Sequence, residues 1–192
     1  MKLTPPVTTK KLDELVEKAK VYFQTKGYYR TSMAKIAAAC GIKKSSVYHH
    51  VRSKGDLAFA VLNDLHEHFK AEIFDMVANE NLSPAKKLQQ VAHRLENFLL
   101  EQGGGSLMAV LINEVSDLLP SIRQPLQTFF NEYISTLTSL LSSQYTEAEA
   151  IILVEDVLSQ IEGALVLSRV RMDENIIKRA CDRLGHLIPD AS

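Results

Sequence analysis

The stretch IAAACGIKKSSVYHHVRSKGDL, residues 36–57, places a short polar and cationic segment among apolar groups. Two lysines, two serines, a tyrosine and two histidines occur within the eight positions 43–50, and Arg52 and Lys54 follow. The apolar groups among them are Ile36, Ile42, Val47 and Leu57. The segment is therefore either an ordinary solvated face or a surface that binds a negatively charged partner.

The sequence around this segment predicts two short helices joined by a tight turn. Thr31 or Ser32 can cap the first helix, because a side-chain oxygen at that position accepts from a free backbone N–H. Gly41 ends the helix, since glycine readily adopts the left-handed conformation found at helix C-termini. A second helix extends from about residue 44 to residue 51, and Ser53 can cap the next. This layout is that of a helix-turn-helix, whose second helix enters the major groove of DNA.

The side chains of the second helix suit contact with a duplex. A lysine can donate to O6 and N7 of guanine, and a serine can donate or accept without bulk. Tyr48 and His49 have polar tips that can reach a phosphate or a base edge. Thr31 and Ser32 lie at a predicted helix N-terminus, where N–H groups attract phosphate. Lys54 can clamp a phosphate on the far side of the groove.

The charge of the chain is divided along its length. Residues 1–57 carry 12 Lys and Arg against 4 Asp and Glu, a net +8. Residues 58–192 carry 10 against 19, a net −9, so the whole chain is close to neutral at −1. A basic first third joined to an acidic remainder indicates that one part meets a polyanion and the other does not.

The same segment resembles the TetR-type (TetR/AcrR) transcriptional regulators of bacteria. Their N-terminal pattern is T-(T/S)-x-x-x-I-A-x-x-A-G-V-S-x-G-x-(L/I)-Y-x-H-F-x-(S/N)-K-x-x-L, and this chain reads TSMAKIAAACGIKKSSVYHHVRSKGDL over residues 31–57. The outright matches are Thr31, Ile36, Ala37, Gly41, Tyr48, His50, Ser53, Lys54 and Leu57. Later in the chain, QIEGALVLSRV (160–170) resembles the "EGA" segment of the family's penultimate helix.

Three positions depart from the family pattern. Lys43 replaces a Ser or Thr that caps the recognition helix, so we expect a weaker cap. Ser45 replaces a glycine, which alters how closely the helix approaches DNA. Val51 replaces an aromatic residue, which leaves less apolar volume beneath the helix.

The resemblance implies DNA-contact roles for nine residues of the chain. Phosphate contacts are expected from Thr31, Ser32, Tyr48 and Lys54. Contacts within the groove are expected from Lys43, Lys44, Ser45, Ser46 and His49.

The whole chain is predicted to be all-α, with about nine helices and no sustained alternating pattern of a strand. A flexible arm containing Pro5 and Pro6 precedes the first helix, and the glycine run 103–105 is predicted to break a later one. Thr146, with Glu149 three residues further on, predicts a capping box at the start of the penultimate helix.

Two domains are predicted: a helix-turn-helix DNA-binding domain with its arm over residues 1–54, and a helical effector-binding and dimerisation domain over 55–192. Because one helix-turn-helix reads one half-site, a homodimer is expected, with a four-helix bundle formed by the last two helices of each subunit. The candidate interface residues are Ile161, Ala164, Leu165, Ser168, Leu184, Leu187 and Ile188. The alternative is that these stripes face only the chain's own core.

The middle helices are expected, by resemblance, to enclose a small molecule. The candidate ligand-binding residues are His66, Phe69, His93, Asn97, Asn113, Phe129 and Tyr133. Polar and aromatic groups near an apolar stripe are typical of pockets, but they are also common as ordinary core or surface residues.

Other classes of protein lack support in the sequence. No apolar run approaches the ~20 residues of a membrane span, and the N-terminus lacks a secretory signal, so we expect a cytoplasmic protein. Cys40 and Cys181 are too far apart for a metal-ligand pair, and we expect two small thiols, no metal and no cofactor. The recurrent motifs of hydrolases, metalloproteases and phosphate-binding loops are not found, so no enzymatic activity is predicted.

The predicted function is that of a dimeric, sequence-specific DNA-binding transcriptional regulator. We expect a repressor whose affinity for a palindromic operator is lowered by an unknown small-molecule effector in the second domain. The alternative is an all-helical scaffold that binds another protein and does not respond to a ligand.

Overall fold

A computed structural model describes residues 7–77, 81–101, 106–115 and 119–188, with side chains from residue 11 onward. Within these ranges the chain is helical and contains no strand. The helices are α1 (Val7–Lys26), α2 (Met33–Ala39), α3 (Lys44–Val47), α4 (Lys54–Phe69), α5 (Asp75–Val77), α6 (Pro84–Glu101), α7 (Leu107–Val115), α8 (Pro120–Leu141), α9 (Glu147–Arg171) and α10 (Asn175–Gly185).

A π-helical turn, Lys70–Phe74, joins α4 to α5 without a break. The described ranges therefore hold nine continuous helical segments, which confirms the predicted all-α fold and helix count. The predicted arm with Pro5 and Pro6, and the predicted break at 103–105, lie outside the described residues.

The chain divides into two compact units. Unit 1 comprises Met1–His66 and Leu107–Leu126, and unit 2 comprises Glu67–Ser106 and Gln127–Ser192. In unit 1, α1 packs against α2 and α7, and α2 packs against α3. The core side chains of this unit include Leu15, Phe23, Ile36, Val47, Leu57 and Leu111, all fully buried.

In unit 2, α10 packs against both α6 and α9. Gly185 allows the close approach to α6, because a Cβ at this position would lie 3.3 Å from the Cβ of Ala92. Thr146 caps α9: its Oγ1 accepts from the backbone N of Glu149, whose carboxylate accepts from the backbone N of Thr146. The predicted capping box is therefore confirmed.

The predicted dimer stripes lie in the core of unit 2, which corrects their assignment. Six of the seven side chains are at most 5 % exposed, because α9 and α10 turn these faces towards each other and towards α6. The six are Ile161, Ala164, Leu165, Ser168, Leu184 and Ile188. Leu187 is half-buried. These residues pack within the chain's own core, which is the alternative that the sequence left open.

Among the described helices, none is long and apolar enough to cross a membrane.

Candidate nucleic-acid interface

The turn between α2 and α3 has the geometry that its sequence predicts. Ser32 is the N-cap of α2, and its side chain accepts from the backbone N of Lys35. At the other end, Gly41 has a φ of 65°, and the N–H of Ile42 donates to the carbonyl of Ala37 at 3.0 Å. These contacts satisfy the last carbonyls of α2 and set the direction in which the chain enters α3.

The inner side of α3 is apolar and buried. Val47 is fully buried and Val51 is 7 % exposed. After α3 ends at Val47, backbone bonds from His50 and Val51 to the carbonyl of Val47 continue the helical turn. The segment is thus anchored on one side only, and its other side faces solvent.

The outer side of α3 gathers six predicted groove and phosphate residues on one surface. These residues, here called the α3 surface, are Lys43, Lys44, Ser45, Ser46, Tyr48 and His49. All are exposed except Ser46, which is half-buried. Lys43 is the N-cap of α3 and makes no side-chain capping bond, as expected from the loss of a Ser or Thr there. Two ammonium groups, hydroxyls and an imidazole therefore stand free to meet phosphates and base edges.

Of the remaining predicted phosphate contacts, Ser32 is exposed but Thr31 is not. Thr31 is 1 % exposed, and its hydroxyl donates to the Gly27 carbonyl at 2.8 Å, with the Tyr22 carbonyl at 3.2 Å. The predicted phosphate contact by the Thr31 side chain is therefore corrected. Its hydroxyl holds the turn between α1 and α2, because that is where the nearest carbonyls lie.

Lys54 also bonds within the protein in place of the predicted phosphate clamp. Its Nζ donates to the carbonyls of Tyr28 at 2.9 Å and Thr31 at 3.0 Å, and lies 4.0 Å from the centre of the Tyr28 ring. Burial lowers the pKa of Lys54, and the nearby Glu114 carboxylate opposes that shift. The ammonium thus ties the start of α4 to the loop between α1 and α2.

Glu114 on α7 holds the same loop, and the sequence analysis missed it. Its Oε2 accepts from the backbone N of Tyr29 at 3.0 Å. Its Oε1 lies 2.7 Å from the position of a Cβ at Gly27, where φ is 81°. A larger residue at Gly27 would displace the carboxylate and strain the backbone. Glu114 and Tyr29 are 85 positions apart, so no local sequence pattern predicts their contact.

Three of the predicted ligand-binding residues come together in unit 2. Phe69 lies 5.1 Å from Phe129 and 5.7 Å from Tyr133, measured between ring centres. Phe74 and Phe98, which the sequence analysis did not select, complete the group, here called the aromatic cluster. The edge-to-face geometry of several pairs is the favourable one for aromatic rings.

The other four predicted ligand-binding residues are not in the aromatic cluster. His93 and Asn97 are exposed on α6 and lie within hydrogen-bond distance of each other at 3.2 Å. Asn113 is exposed on α7 and donates to the carbonyl of Ala109 at 2.8 Å. His66, at the end of unit 1, is half-buried.

Buried polar groups near Tyr133 form a second feature that the sequence analysis missed. The Tyr133 hydroxyl is buried and has no hydrogen-bond partner within the described part of the chain. Burial raises its pKa, as do the nearby Cys181 and Glu162. Ser106 donates to Glu162 at 3.3 Å, and burial raises the pKa of Glu162. Among the described residues, no group of three or more His, Cys, Asp and Glu side chains is placed to hold a metal ion.

Comparison with known proteins agrees with this architecture. Residues 15–61 match the family "Bacterial regulatory proteins, tetR family", and residues 84–183 match "Transcriptional regulator LmrA/YxaF-like, C-terminal domain". The repressor DhaR of Mycobacterium sp. (strain GP1) is 25% identical over 167 residues, which cover 84% of this chain and 82% of DhaR.

Solved structures share the fold. A TetR transcriptional regulator from Legionella pneumophila has a TM-score of 0.84 and 24% identity, with 98% of this chain and 100% of that chain covered. AibR, solved with isovaleryl coenzyme A and operator DNA, has a TM-score of 0.70 and 21% identity, with 93% and 98% covered. The second family match alone spans more than half of the 192 residues, and the first covers the helix-turn-helix. The chain therefore belongs to the TetR family of bacterial DNA-binding transcriptional regulators.

Proposed function

We propose that the chain is a homodimeric repressor that reads a palindromic operator with two copies of the α3 surface and releases it when a small molecule binds in unit 2. The observation that carries this proposal is the α3 surface itself. It is cationic, exposed and held by a buried apolar side, as a helix that enters the major groove requires. In this proposal residues 1–54 form the DNA-binding domain and residues 55–192 the effector-binding and dimerisation domain.

Within the operator, the residues divide between two kinds of contact. We assign Lys43, Lys44, Ser45, Ser46 and His49 to the groove. Ser32 and Tyr48 are assigned to phosphates, since both are exposed and carry a hydroxyl. Thr31 and Lys54 are assigned to positioning, because their polar atoms bond inside unit 1.

An exposed apolar face on α9 supports the homodimer. Val166 is 64% exposed and Val170 is 77% exposed, and the Cβ position at Gly163 meets no atom within 4 Å. Ile152, about four turns before Val166 on the same side, is also exposed. Monomeric proteins rarely leave such a stripe in water, and an identical stripe can pack against it by two-fold symmetry. This face replaces the buried residues that the sequence analysis selected.

The aromatic cluster supports an effector site in unit 2. Phe69, Phe129 and Tyr133 supply apolar walls, while the buried Tyr133 hydroxyl and the half-buried Glu162 carboxylate supply polar atoms. Pockets for small molecules combine these two kinds of group. The relative DhaR is named a repressor, and the structural neighbour AibR was solved with a coenzyme A thioester and operator DNA.

The mechanism is a shift between two populations. DNA favours a dimer whose two α3 surfaces are about 34 Å apart, one helical turn of DNA. An effector that favours a different spacing weakens operator binding, and the operator weakens effector binding by the same coupling free energy.

Titration of an operator fragment in increasing salt, with and without a candidate effector, tests this proposal. We expect the logarithm of the association constant to fall by about 0.9 per phosphate contact for each unit of log salt. An effector should lower the association constant at every salt concentration. Binding that is insensitive to salt would overturn the DNA-reading surface, and operator affinity that no small molecule changes would overturn the effector.

A further inference from the structure

A groove of about 650 Å³ opens between α8 and α9 in unit 2, and no residue of the aromatic cluster is among those that line it. Its walls come from the C-terminal half of α8, the turn at Tyr145 and the N-terminal third of α9. None of its lining residues was selected from the sequence, and the proposed operator and effector functions do not use them.

Four of the hydroxyl groups that line the groove donate to backbone carbonyls. Ser135, Ser139 and Ser142 each donate to a backbone carbonyl three residues earlier, at 3.1, 2.7 and 2.9 Å. The Tyr145 hydroxyl donates to the carbonyl of Leu187 at 3.4 Å. Because each hydroxyl has a single proton, these four oxygens can offer only lone pairs to a bound molecule.

Two carboxylates extend this acceptor-rich lining. Glu147 and Glu155 are exposed on α9, and neither has an ion-pair partner in the part of the chain that the structure describes. No Lys or Arg is among the described residues that line the groove. The eight positions between the two glutamates correspond to about 12 Å along the helix axis.

An anion is disfavoured by the way in which α9 begins. The capping box occupies two of the N–H groups at this helix start: Thr146 Oγ1 accepts from the N–H of Glu149 at 3.4 Å, and Glu149 accepts from the N–H of Thr146 at 2.9 Å. These bonds lower the pKa of Glu149, which adds a second negative charge, beside that of Glu147, at this end. The helix N-terminus therefore does not attract a phosphate or carboxylate here.

The middle of the groove is apolar. Ile134 of α8 and Ala150 and Ile151 of α9 line it, and the groove also includes Thr138, whose buried Oγ1 has no partner in the described part of the chain. Apolar surface flanked by two separated negative charges matches a hydrocarbon chain with a cation at each end.

We propose that this groove binds a linear aliphatic diamine or polyamine, with one ammonium group at Glu147, the other at Glu155, and the methylene chain along Ile134 and Ile151. An ammonium group carries three donors and no acceptor, which complements the two carboxylates and the four hydroxyl oxygens whose protons are already donated. This site is separate from the proposed effector site, and it does not require the chain to bind DNA.

Calorimetric titration of the full-length protein, without DNA, tests the proposal. The probes are spermidine and diaminooctane, with octylamine and octanediol as analogues that have one charge and none. We expect saturable binding of one diamine per chain, about tenfold tighter than octylamine and undetectable for octanediol. Glu147→Gln and Glu155→Gln should each weaken diamine binding about two- to fivefold, as expected for partly exposed ion pairs.

Asp156→Asn is the matched control, because it removes an exposed charge next to Glu155 but does not line the groove. It should leave diamine binding unchanged. Equal weakening by Asp156→Asn would show that the acidic surface attracts amines without a site, and would overturn the proposal. Octanediol binding as tight as that of diaminooctane, or no saturable binding of either amine probe, would also overturn it.

Discussion

The Glu114 carboxylate accepts a hydrogen bond from the backbone N–H of Tyr29 at 3.0 Å and thereby joins α7 to the loop that precedes the helix-turn-helix. The same loop carries the carbonyl of Tyr28, to which Lys54 donates. Glu114 on α7 and Lys54 on α4 thus both hold this loop: the carboxylate accepts from a backbone N–H, and the ammonium donates to a backbone carbonyl. These contacts hold the loop from which α2 begins.

We predict that Glu114→Ala destabilises unit 1 by about 1 kcal/mol, the net value of a typical hydrogen bond. Amide hydrogen exchange at Tyr29 should become faster, because its N–H loses its acceptor. Glu114→Gln keeps an acceptor oxygen and serves as the control, with a smaller effect. Unchanged exchange at Tyr29 in Glu114→Ala would show that the bond does not form in solution.

Lys54 should matter for stability before it matters for DNA. Lys54→Met retains the length of the side chain but removes two bonds to carbonyls and the contact with the Tyr28 ring. We expect a loss of about 1–2 kcal/mol in the free energy of unfolding, measured by urea denaturation. Lys43→Met, at an exposed position without a capping bond, is the control and should change stability little. Equal stability of the two variants would contradict the positioning role.

The sequence predicted the elements of the helix-turn-helix because their signals are local. The cap at Ser32 and the left-handed Gly41 depend on neighbours within a few residues, and both are present. The roles of Thr31 and Lys54 depend on which carbonyls the fold brings within 3 Å. Those carbonyls belong to residues up to 26 positions away in the chain, and no periodicity reports them.

The exposed and buried faces of α9 illustrate the same limit. Apolar residues occur on both sides of this helix, so its sequence alone does not tell which side faces the core. The sequence analysis chose the side of Ile161 and Leu165, which packs against α10, while Val166 and Val170 face solvent. Similarly, Phe69 meets Phe129 and Tyr133 because the end of α4 packs against α8, whereas His93 stands on an exposed face.

The exposed stripe of α9 should control assembly. Val166→Glu places a charge in the proposed two-fold interface, where burial of an unpaired charge is costly. We expect the protein to become monomeric by analytical ultracentrifugation at micromolar concentration and to lose tight operator binding. Ser159 is exposed on α9 two turns before Val166, so Ser159→Glu should act in the same direction. Lys178→Glu changes the charge of an exposed position on α10 and serves as the comparison. A dimer that survives Val166→Glu would place the interface elsewhere.

The half-buried carboxyl of Glu162 should make stability depend on pH. Because burial raises its pKa in the folded protein, the native state holds the proton more tightly than the unfolded chain. The stabilisation by this group is fully present at pH values below the ordinary glutamate pKa, and it is lost as the pH rises through the raised pKa of the folded state. Thermal unfolding from about pH 4 to about pH 8 should therefore show a decline that Glu162→Gln removes. Asp156→Asn should retain the decline, and parallel curves for wild type and Glu162→Gln would contradict this account.

Individual residues of the α3 surface should differ in what they control. Lys44→Ala and His49→Ala remove groups assigned to base edges, so each should cost about 1–3 kcal/mol for the preferred operator and less for altered ones. Ser32→Ala removes a phosphate contact and should weaken binding to all sequences alike. Competition binding against a set of single-base operator variants distinguishes the two patterns. A uniform loss from all three substitutions would contradict the assigned roles.

Selection of bound duplexes from a random DNA pool tests the central claim most directly. If two copies of the α3 surface read DNA in a symmetric dimer, the wild-type protein should enrich a palindrome whose half-site centres are about one helical turn apart. The same selection with Lys44→Ala should alter the bases at symmetric positions in both half-sites. Enrichment of no sequence, or of an asymmetric sequence that Lys44→Ala leaves unchanged, would contradict the account.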